Sequence, residues 1–216
     1  MKKQRQSCAQ NHEPAIYNSQ LTTSPGHRAV FLDRDGTICE EVGYLDSIER
    51  LRLIPGSAAA IKSLNDRGLK AVVVTNQSGV ARGFFSELRL QEVHEELKRR
   101  LRQEGAHLDG IYYCPHHPSD GNEPYLGVCD CRKPASGLLL RAAADLGLDL
   151  GASYVIGDHH SDVECAQRVG AKGILVLTGH GENSRAEKES WPSPPAYIAP
   201  DLYAAVQWVI GNMGKG

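Results

Sequence analysis

The sequence predicts an α/β fold in which a doubly wound parallel sheet carries helices on both faces. Short runs such as "AVFL" and "AVVV" are apolar at every position, which is typical of strands buried on both faces. Longer segments with helical periodicity separate these runs, and this alternation indicates βαβ units. The 216 residues are 41% hydrophobic and 23% charged, and we expect one domain over residues 28–216.

The expected elements follow one another with short connections. Five strands are predicted over residues 29–33, 69–75, 108–114, 153–158 and 172–177. Five helices are predicted over residues 57–68, 86–105, 136–147, 161–170 and 201–210. Gly68 and Gly105 are typical of helix C-termini, and Ser161 with Glu164 has the spacing of a capping box. Residues 114–135 and 179–196 are predicted to be loops.

Composition and the N-terminus restrict the classes of partner. The net charge of −2 provides no basic field for a nucleic acid. No run approaches the roughly 18 apolar residues of a membrane span. Residues 1–27 begin with a basic stretch but lack the apolar segment of a secretory signal. We therefore predict a polar, flexible tail on a cytoplasmic protein with no nucleic-acid or membrane partner.

Acidic residues stand at the ends of two predicted strands. Asp33 and Asp35 follow the first strand, and Asp158 ends the fourth. Because the ligand crevice of an open parallel sheet lies at the carboxyl ends of its strands, these three carboxylates should meet there. Clustered carboxylates repel one another, and a divalent cation with a preference for oxygen ligands relieves that repulsion. The sequence therefore predicts an Mg²⁺ site.

The residues around this crevice suit phosphoryl transfer. A carboxylate beside Mg²⁺ can attack phosphorus, while Thr75, Asn76 and Lys133 can supply hydrogen bonds and positive charge to a phosphoryl group. Each feature alone has an ordinary structural explanation, since Asp-Gly pairs are common in turns and Lys133 could be a solvated surface residue. Their joint occurrence favours a catalytic site.

A second metal site is predicted in the loop "CPHHPSDGNEPYLGVCDC", residues 114–131. Three cysteines and two adjacent histidines crowd into this segment of a chain without a secretory signal, which favours a metal over disulfides. Three thiolates and one imidazole make a closed, structural zinc site. The alternative is a set of unrelated thiols. The predicted ligands are Cys114, His116, Cys129 and Cys131, with His116 preferred over His117.

Four ordered motifs, "FLDRDGT", "VVVTN", the lysine of "CRKP" and "VIGDHHSD", resemble those of the haloacid dehalogenase (HAD)-type phosphohydrolases. The resemblance covers residues 28–178 and implies a Rossmann-like fold and an aspartyl-phosphate mechanism. It implies that Asp33 is the nucleophile and Asp35 the general acid and base. Thr75 and Lys133 would stabilise the phosphoryl group.

The resemblance also implies the metal ligands. Asp33, the backbone carbonyl of Asp35, and Asp158 would hold Mg²⁺. Asp162 would either support the metal through water or orient Lys133. A carboxylate in the first turn of a helix also stabilises the helix dipole, so Asp162 has a purely structural alternative.

Substrate selection is expected to depend on loops, because the segments after the first two motifs are too short for the cap domain that many family members carry. The resemblance implies a small sugar phosphate or bisphosphate substrate, a monomer, and a substrate site lined by Glu41, Val42, Gly43, Tyr44, Asn76, Gln77, Ser78, Arg132 and His159. Family members tend to carry a lysine where this chain has His159. The planar fork of Arg132 suits a second phosphate.

Two other functions stay open from the sequence. A histidinol-phosphate phosphatase shares the motifs and the zinc loop, although a monophosphate would have less need of Arg132. A non-catalytic, zinc-stabilised interaction module is a third possibility, and the presence of both Asp33 and Asp35 argues against it.

Overall fold

The computed structural model of the protein describes residues 26–187, residue 189 and residues 191–213. The tail predicted for residues 1–27 therefore lies almost entirely outside the described residues. Among the described residues, no helix is both long enough and apolar enough to cross a membrane.

Six strands form one parallel sheet. They are β1 (Ala29–Leu32), β2 (Lys70–Asn76), β3 (Gly110–Cys114), β4 (Tyr154–Gly157), β5 (Lys172–Val176) and β6 (Tyr197–Ala199). The strand order is β3-β2-β1-β4-β5-β6, so β1 lies between β2 and β4 near the middle of the sheet. This is the doubly wound arrangement that the apolar runs predicted. Its central strand ends immediately before Asp33.

Helices cover the two faces of the sheet. They are α1 (Ser57–Asn65), α2 (Glu87–Gln103), α3 (Gly137–Leu146), α4 (His160–Gln167), α5 (Gly181–Ala186) and α6 (Leu202–Asn212). One apolar cluster joins Val30, Leu32 and Val73 to the buried side chains of α1, α2 and α6. A second cluster joins Phe31 and Val72 to α3 and α4. Successive strand residues thus alternate between two cores, and for this reason the strands are apolar at every position.

The structure corrects three expectations. The segment 179–196, which the sequence predicts to be a loop, contains α5, and β6 follows it at residues 197–199, where the sequence predicts no element. Helix α4 begins at His160 rather than Ser161. Its capping box is formed by His159 and Asp162 rather than by Ser161 and Glu164: Asp162 accepts from the backbone N–H of His159, and His159 Nδ1 accepts from the backbone N–H of Ser161.

The chain between β1 and α1, and the shorter one between β2 and α2, contain no helix or sheet strand. This agrees with the expected lack of a separate cap domain. The loop of residues 114–131 connects β3 to α3 and lies at the same edge of the sheet as Asp33.

Candidate active site

The carboxyl ends of β1, β2 and β4 open into a cleft of about 580 Å³. The predicted site residues that line it are Asp33, Asp35, Glu41, Gly43, Tyr44, Thr75, Asn76, Gln77, Ser78, Arg132, Lys133, Asp158 and His159. Val42 and Asp162 do not line it. Val42 is half-buried and packs against the apolar core instead. Asp162 is wholly buried behind Lys133.

Lys133 joins two carboxylates at the closed end of the cleft. Its Nζ lies 3.0 Å from Asp33 Oδ1 and 2.6 Å from Asp162 Oδ1. The same ammonium donates to the backbone carbonyl of Val74 at 2.8 Å. Lys133 is 4% exposed, so its charge is held in place by these partners rather than by water. Of the two roles expected for Asp162, this geometry favours orientation of Lys133.

Burial and mutual repulsion govern the ionisation of these groups. Burial raises the pKa of Asp33 to about 6, with Lys133 opposing the rise and Asp162 adding to it. Burial, followed by the charges of Asp33 and Asp162, raises the pKa of Asp158 to about 8. Although burial lowers the pKa of Lys133, the charges of Asp162 and Asp33 outweigh it and raise that pKa above its ordinary value. The carboxylates carry more negative charge than Lys133 alone neutralises.

This excess of charge fits a cation. Carboxylate oxygens of Asp33, Asp158 and Asp162 lie within 4.8 Å of one another. Oδ2 of Asp158 accepts from the backbone N–H of His180 at 2.8 Å, which fixes that carboxylate. A Cβ added to Gly36 would overlap the Asp158 carboxylate, so only glycine allows the backbone to lie this close to that carboxylate. Hard oxygen donors at this spacing suit Mg²⁺.

Asp35 faces a different set of partners. Both of its carboxylate oxygens accept from Arg34, at 3.0 Å from Nε and 2.7 Å from Nη2. Gln77 Nε2 donates to Asp35 Oδ2 at 2.8 Å and to Thr75 Oγ1 at 3.0 Å. The carboxylate of Asp35 is outside the three-carboxylate group, which leaves its backbone carbonyl as its possible contribution to a metal site.

Asn76 binds protein backbone rather than presenting a free amide to the cleft. Its Nδ2 donates to the carbonyl of Lys133 at 3.1 Å, and its Oδ1 accepts from the N–H of Lys133 at 3.0 Å. This reciprocal pair attaches the end of β2 to the segment that carries Lys133. Asn76 therefore has a structural role in addition to its predicted contact with substrate.

The cysteine loop brings its four predicted ligands together. Sγ of Cys129 lies 3.5 Å from that of Cys114 and 3.3 Å from that of Cys131. His116 Nδ1 lies 3.8 Å from Cys114 Sγ and 3.6 Å from Cys131 Sγ. Tetrahedral zinc with ordinary bond lengths separates two sulfurs by about 3.8 Å and a sulfur from a nitrogen by about 3.5 Å. The donor set therefore has the size and the chemistry of a structural zinc site.

His117 points elsewhere. Its Nδ1 accepts from the backbone N–H of Asp120 at 3.0 Å, and its Nε2 lies 3.4 Å from a guanidinium nitrogen of Arg82. Arg132, which follows the last cysteine, donates from Nη1 to the carbonyl of His116 at 3.2 Å and lines the cleft. Arg132 is thereby bonded to the cysteine loop at the edge of the cleft, and Lys133 follows it in the chain.

Besides these residues and Gly79, which follows Ser78, the cleft is lined by four residues that the sequence did not single out as substrate contacts: Pro134, His160, Ser161 and His180. The first three directly adjoin predicted site residues, and this adjacency was a usable signal. His180 had none, because it precedes α5 in a segment predicted as loop. Its ring nitrogen lies 3.8 Å from a carboxylate oxygen of Glu41, across the cleft mouth.

Comparison with known proteins identifies the family to which this chain belongs. A family model described as HAD-hydrolase-like matches residues 130–205. The D-glycero-beta-D-manno-heptose-1,7-bisphosphate 7-phosphatase of Haemophilus ducreyi is 44% identical over 167 residues, which are 76% of this chain and 91% of the relative. The enzyme of the same name from Escherichia coli K12 is 45% identical over 187 residues, covering 86% of this chain and 89% of the relative.

A solved structure gives the same result. The D,D-heptose 1,7-bisphosphate phosphatase of B. bronchiseptica, complexed with magnesium and phosphate, matches with a TM-score of 0.77 and 32% identity, over 86% of this chain and 99% of that one. Together with the four motifs and the geometry of the cleft, these similarities show that the chain is a phosphatase that belongs to the HAD-like hydrolases and, among them, to the heptose-bisphosphate phosphatase family.

Proposed function

We propose that this enzyme removes the 7-phosphate of D-glycero-D-manno-heptose 1,7-bisphosphate through a covalent intermediate on Asp33. The observation that carries the proposal is the placement of Asp33 beside Lys133 at the closed end of a cleft that Arg132 also lines. Relatives that match most of this chain carry the name of this activity, which supports the choice of substrate. A bisphosphate also gives Arg132 a second anionic group to bind.

The first step needs Asp33 ionised and its attack directed at phosphorus. Its Oδ1 is paired with Lys133, while the side chain remains 14% exposed towards the cleft. Attack by an Asp33 oxygen forms a bond to phosphorus as the bond to the sugar oxygen breaks. Lys133 and the hydroxyl of Thr75 would offset the charge on the phosphoryl oxygens.

Asp35 would manage the protons of both steps. Its carboxyl group would protonate the departing sugar oxygen, and the resulting carboxylate would then take a proton from water. That water attacks phosphorus, the bond to Asp33 breaks, and inorganic phosphate leaves with both aspartates restored. The carboxylate of Asp35 is 19% exposed, so it can reach the cleft while held by Arg34.

Mg²⁺ would be held by Asp33, Asp158 and the backbone carbonyl of Asp35. When bound, it supplies positive charge that neutralises the carboxylates and the transferring phosphoryl group. Asp162 would act through Lys133, which it contacts directly. The cysteine loop would bind zinc through Cys114, His116, Cys129 and Cys131, and thereby order Arg132 and Lys133.

A phosphate-release panel tests the proposal. Its substrates are the α and β anomers of the heptose bisphosphate, histidinol phosphate and simple sugar phosphates, each with Mg²⁺. The variant Asp33→Asn keeps the shape of the nucleophile and removes its charge. The matched control is Asp66→Asn, which changes an exposed aspartate at the C-terminal end of α1 that does not line the cleft.

We expect the heptose bisphosphate to have the highest kcat/KM, Asp66→Asn to behave as wild type, and Asp33→Asn to release no phosphate above background. A higher kcat/KM on histidinol phosphate would reject the substrate assignment and leave the mechanism standing. Wild-type turnover by Asp33→Asn would reject the mechanism itself.

A further inference from the structure

Arg34 is a fully buried arginine between the two aspartates of the first motif. Its relative exposure is 0%, and it does not line the cleft. A buried guanidinium is costly unless its donors are all engaged, since its desolvation must be offset by charge and hydrogen bonds. The catalytic steps described above make no direct use of it. Its partners therefore indicate what it does.

Those partners converge on Asp35. Nε and Nη2 of Arg34 donate bidentate hydrogen bonds to the two carboxylate oxygens of Asp35, at 3.0 and 2.7 Å. Nη2 also donates to Gln77 Oε1 at 2.9 Å, and the amide nitrogen of Gln77 donates to Asp35 Oδ2. The three side chains form a closed ring of hydrogen bonds. A planar fork with this geometry fixes the plane of the carboxylate as well as its position.

His94 supports the guanidinium from behind. Its Nε2 lies 3.1 Å from Arg34 Nη1. A guanidinium has no acceptor, so Nε2 must accept and the imidazole must be neutral, with its proton on Nδ1. Burial, followed by the charges of Arg34 and Lys98, lowers the pKa of His94 well below its ordinary value, which keeps the ring in that form. The ring is 5% exposed and packs near Tyr113 with centroids 5.6 Å apart.

We infer that Arg34 and His94 are positioning residues for proton transfer: His94 fixes the guanidinium of Arg34, and Arg34 fixes the carboxyl group of Asp35 towards the leaving oxygen. Oδ2 of Asp35 carries two of the hydrogen bonds and Oδ1 carries one, which leaves Oδ1 more capacity for the proton that is transferred. The inference rests on the proposed function, in which Asp35 is the general acid. The inference adds His94, a residue of α2 that lies 60 positions after Arg34, to the residues that orient Asp35.

The test exploits the dependence of acid catalysis on the leaving group. A sugar alkoxide needs a proton to depart, whereas 4-nitrophenolate is a stable anion that does not. The parameter kcat/KM reports only the steps up to departure of the leaving group, so the later role of Asp35 as a base does not enter it. A variant that merely loosens the fold would lower kcat/KM for both substrates.

The variants are Arg34→Lys, which keeps the charge and loses the fork, and His94→Leu, which removes the acceptor. His94→Gln restores an acceptor at similar reach and serves as the rescue. Each is assayed with Mg²⁺ on the heptose bisphosphate and on 4-nitrophenyl phosphate, with thermal unfolding recorded alongside. Asp35→Asn is the reference for loss of the acid.

We expect Arg34→Lys and His94→Leu to lower kcat/KM on the heptose bisphosphate by about 10- to 100-fold and on 4-nitrophenyl phosphate by less than about 3-fold. His94→Gln should recover most of the loss. Equal loss on both substrates, or no loss on either, would overturn the inference. If Asp35→Asn itself shows no preference for the good leaving group, the proposed function of Asp35 fails; if only the Arg34 and His94 variants lack that preference, the inference alone fails.

Discussion

The ammonium nitrogen of Lys133 lies 3.0 Å from the carboxylate of Asp33, and the pair is placed where the central strand of the sheet ends. Lys133 comes from the far end of the cysteine loop, 100 residues later in the chain, and reaches Asp33 because Asn76 binds its backbone. The proposed nucleophile and its counter-charge are thus brought together by two separate connections of the fold.

Removal of this charge should abolish most activity. In Lys133→Met the carboxylates of Asp33 and Asp162 lose their shared cation, and the phosphoryl oxygens lose a donor. We expect kcat to fall by about 100- to 1,000-fold, comparable with the loss of a preorganised charge-stabilising group in other enzymes. Lys62→Met, which removes an exposed lysine paired with Asp66, should keep wild-type kcat. A Lys133→Met enzyme with near-normal kcat would exclude the assigned role.

The stability of the metal-free protein should fall as pH rises. The pKa of Asp33 is raised to about 6 and that of Asp158 to about 8, each from an ordinary value of 3.8. Because the folded state holds these protons more tightly than the unfolded chain, their stabilising contribution is complete below pH 3.8 and is lost as pH rises through these two values.

Mg²⁺ should reverse this loss, because it binds the deprotonated carboxylates. Thermal unfolding with a chelator and with Mg²⁺ measures the effect, and the increase in Tm from Mg²⁺ should be larger above pH 8 than near pH 6. Asp158→Asn should remove most of both the pH dependence and the Mg²⁺ response. A Tm of the metal-free protein that does not change with pH over this range would contradict the assignment.

Substitution of Gly36 by alanine should destabilise the protein through both its backbone conformation and a steric overlap. A second glycine, Gly68, has a similar conformation without the overlap and serves as the control. The φ of Gly36 is +72°, and an added Cβ would also overlap the carboxylate of Asp158. Gly68 has a φ of +70°, but no heavy atom lies within 4 Å of its added Cβ. Both alanine variants lose about 1 kcal/mol from the left-handed backbone conformation.

The overlap adds a further cost in Gly36→Ala alone, and it displaces a predicted Mg²⁺ ligand. We expect a larger loss in urea unfolding for Gly36→Ala than for Gly68→Ala, together with a higher Mg²⁺ concentration for half-maximal activity. Equal unfolding free energies for the two variants, with an unchanged Mg²⁺ requirement, would show that the loop yields and that the contact is unimportant.

The sheet and its acidic edge could be predicted because the signals are local. Each central strand is a continuous apolar run, and Asp33 and Asp158 follow such runs directly, so topology alone brings them together. Helix α5 and strand β6 lack these signals. The helix has six mostly polar residues and the strand has three residues at the edge of the sheet, so neither presents a readable period.

The buried contacts of Arg34 could not be predicted from the motif in which it lies. Nothing in "FLDRDG" indicates that Arg34 enters the core while its neighbours face the cleft. A partial signal existed in α2, where His94 shares the helical face of Leu90, Val93, Leu97 and Leu101. A polar residue on an apolar stripe needs a buried partner, but the sequence does not say which one.

Loss of zinc should lower phosphatase activity, although the zinc ligands themselves do not line the cleft. The wild-type protein should contain one zinc ion per chain by elemental analysis, and Cys129→Ser should contain much less. Because Arg132 is bonded to the cysteine loop and Lys133 follows it in the chain, phosphate release should fall in this variant and in wild-type protein stripped by a chelator and resupplied with Mg²⁺ alone. Cys165→Ala, in a buried cysteine outside the cluster, should retain both zinc and activity. Full activity after zinc removal would refute this dependence.

Arg132 should distinguish a bisphosphate from a monophosphate. It lines the cleft, and its bond to the carbonyl of His116 leaves other guanidinium donors for a phosphate. The heptose 7-phosphate lacks only the second phosphate of the proposed substrate, so the two form a matched pair. For Arg132→Met we expect KM to rise by about 10- to 100-fold on the bisphosphate and to change little on the 7-phosphate, in proportion to the loss of one charged hydrogen-bonding partner.

The control for Arg132 is Arg168→Met, which removes an exposed arginine paired with Glu164 on α4. It should leave both KM values unchanged. If instead Arg132 acts only by ordering the cysteine loop through His116, both substrates should suffer equally and zinc content should fall. The ratio of the two KM values therefore separates recognition of the second phosphate from support of the loop, because only direct binding depends on the group that the monophosphate lacks.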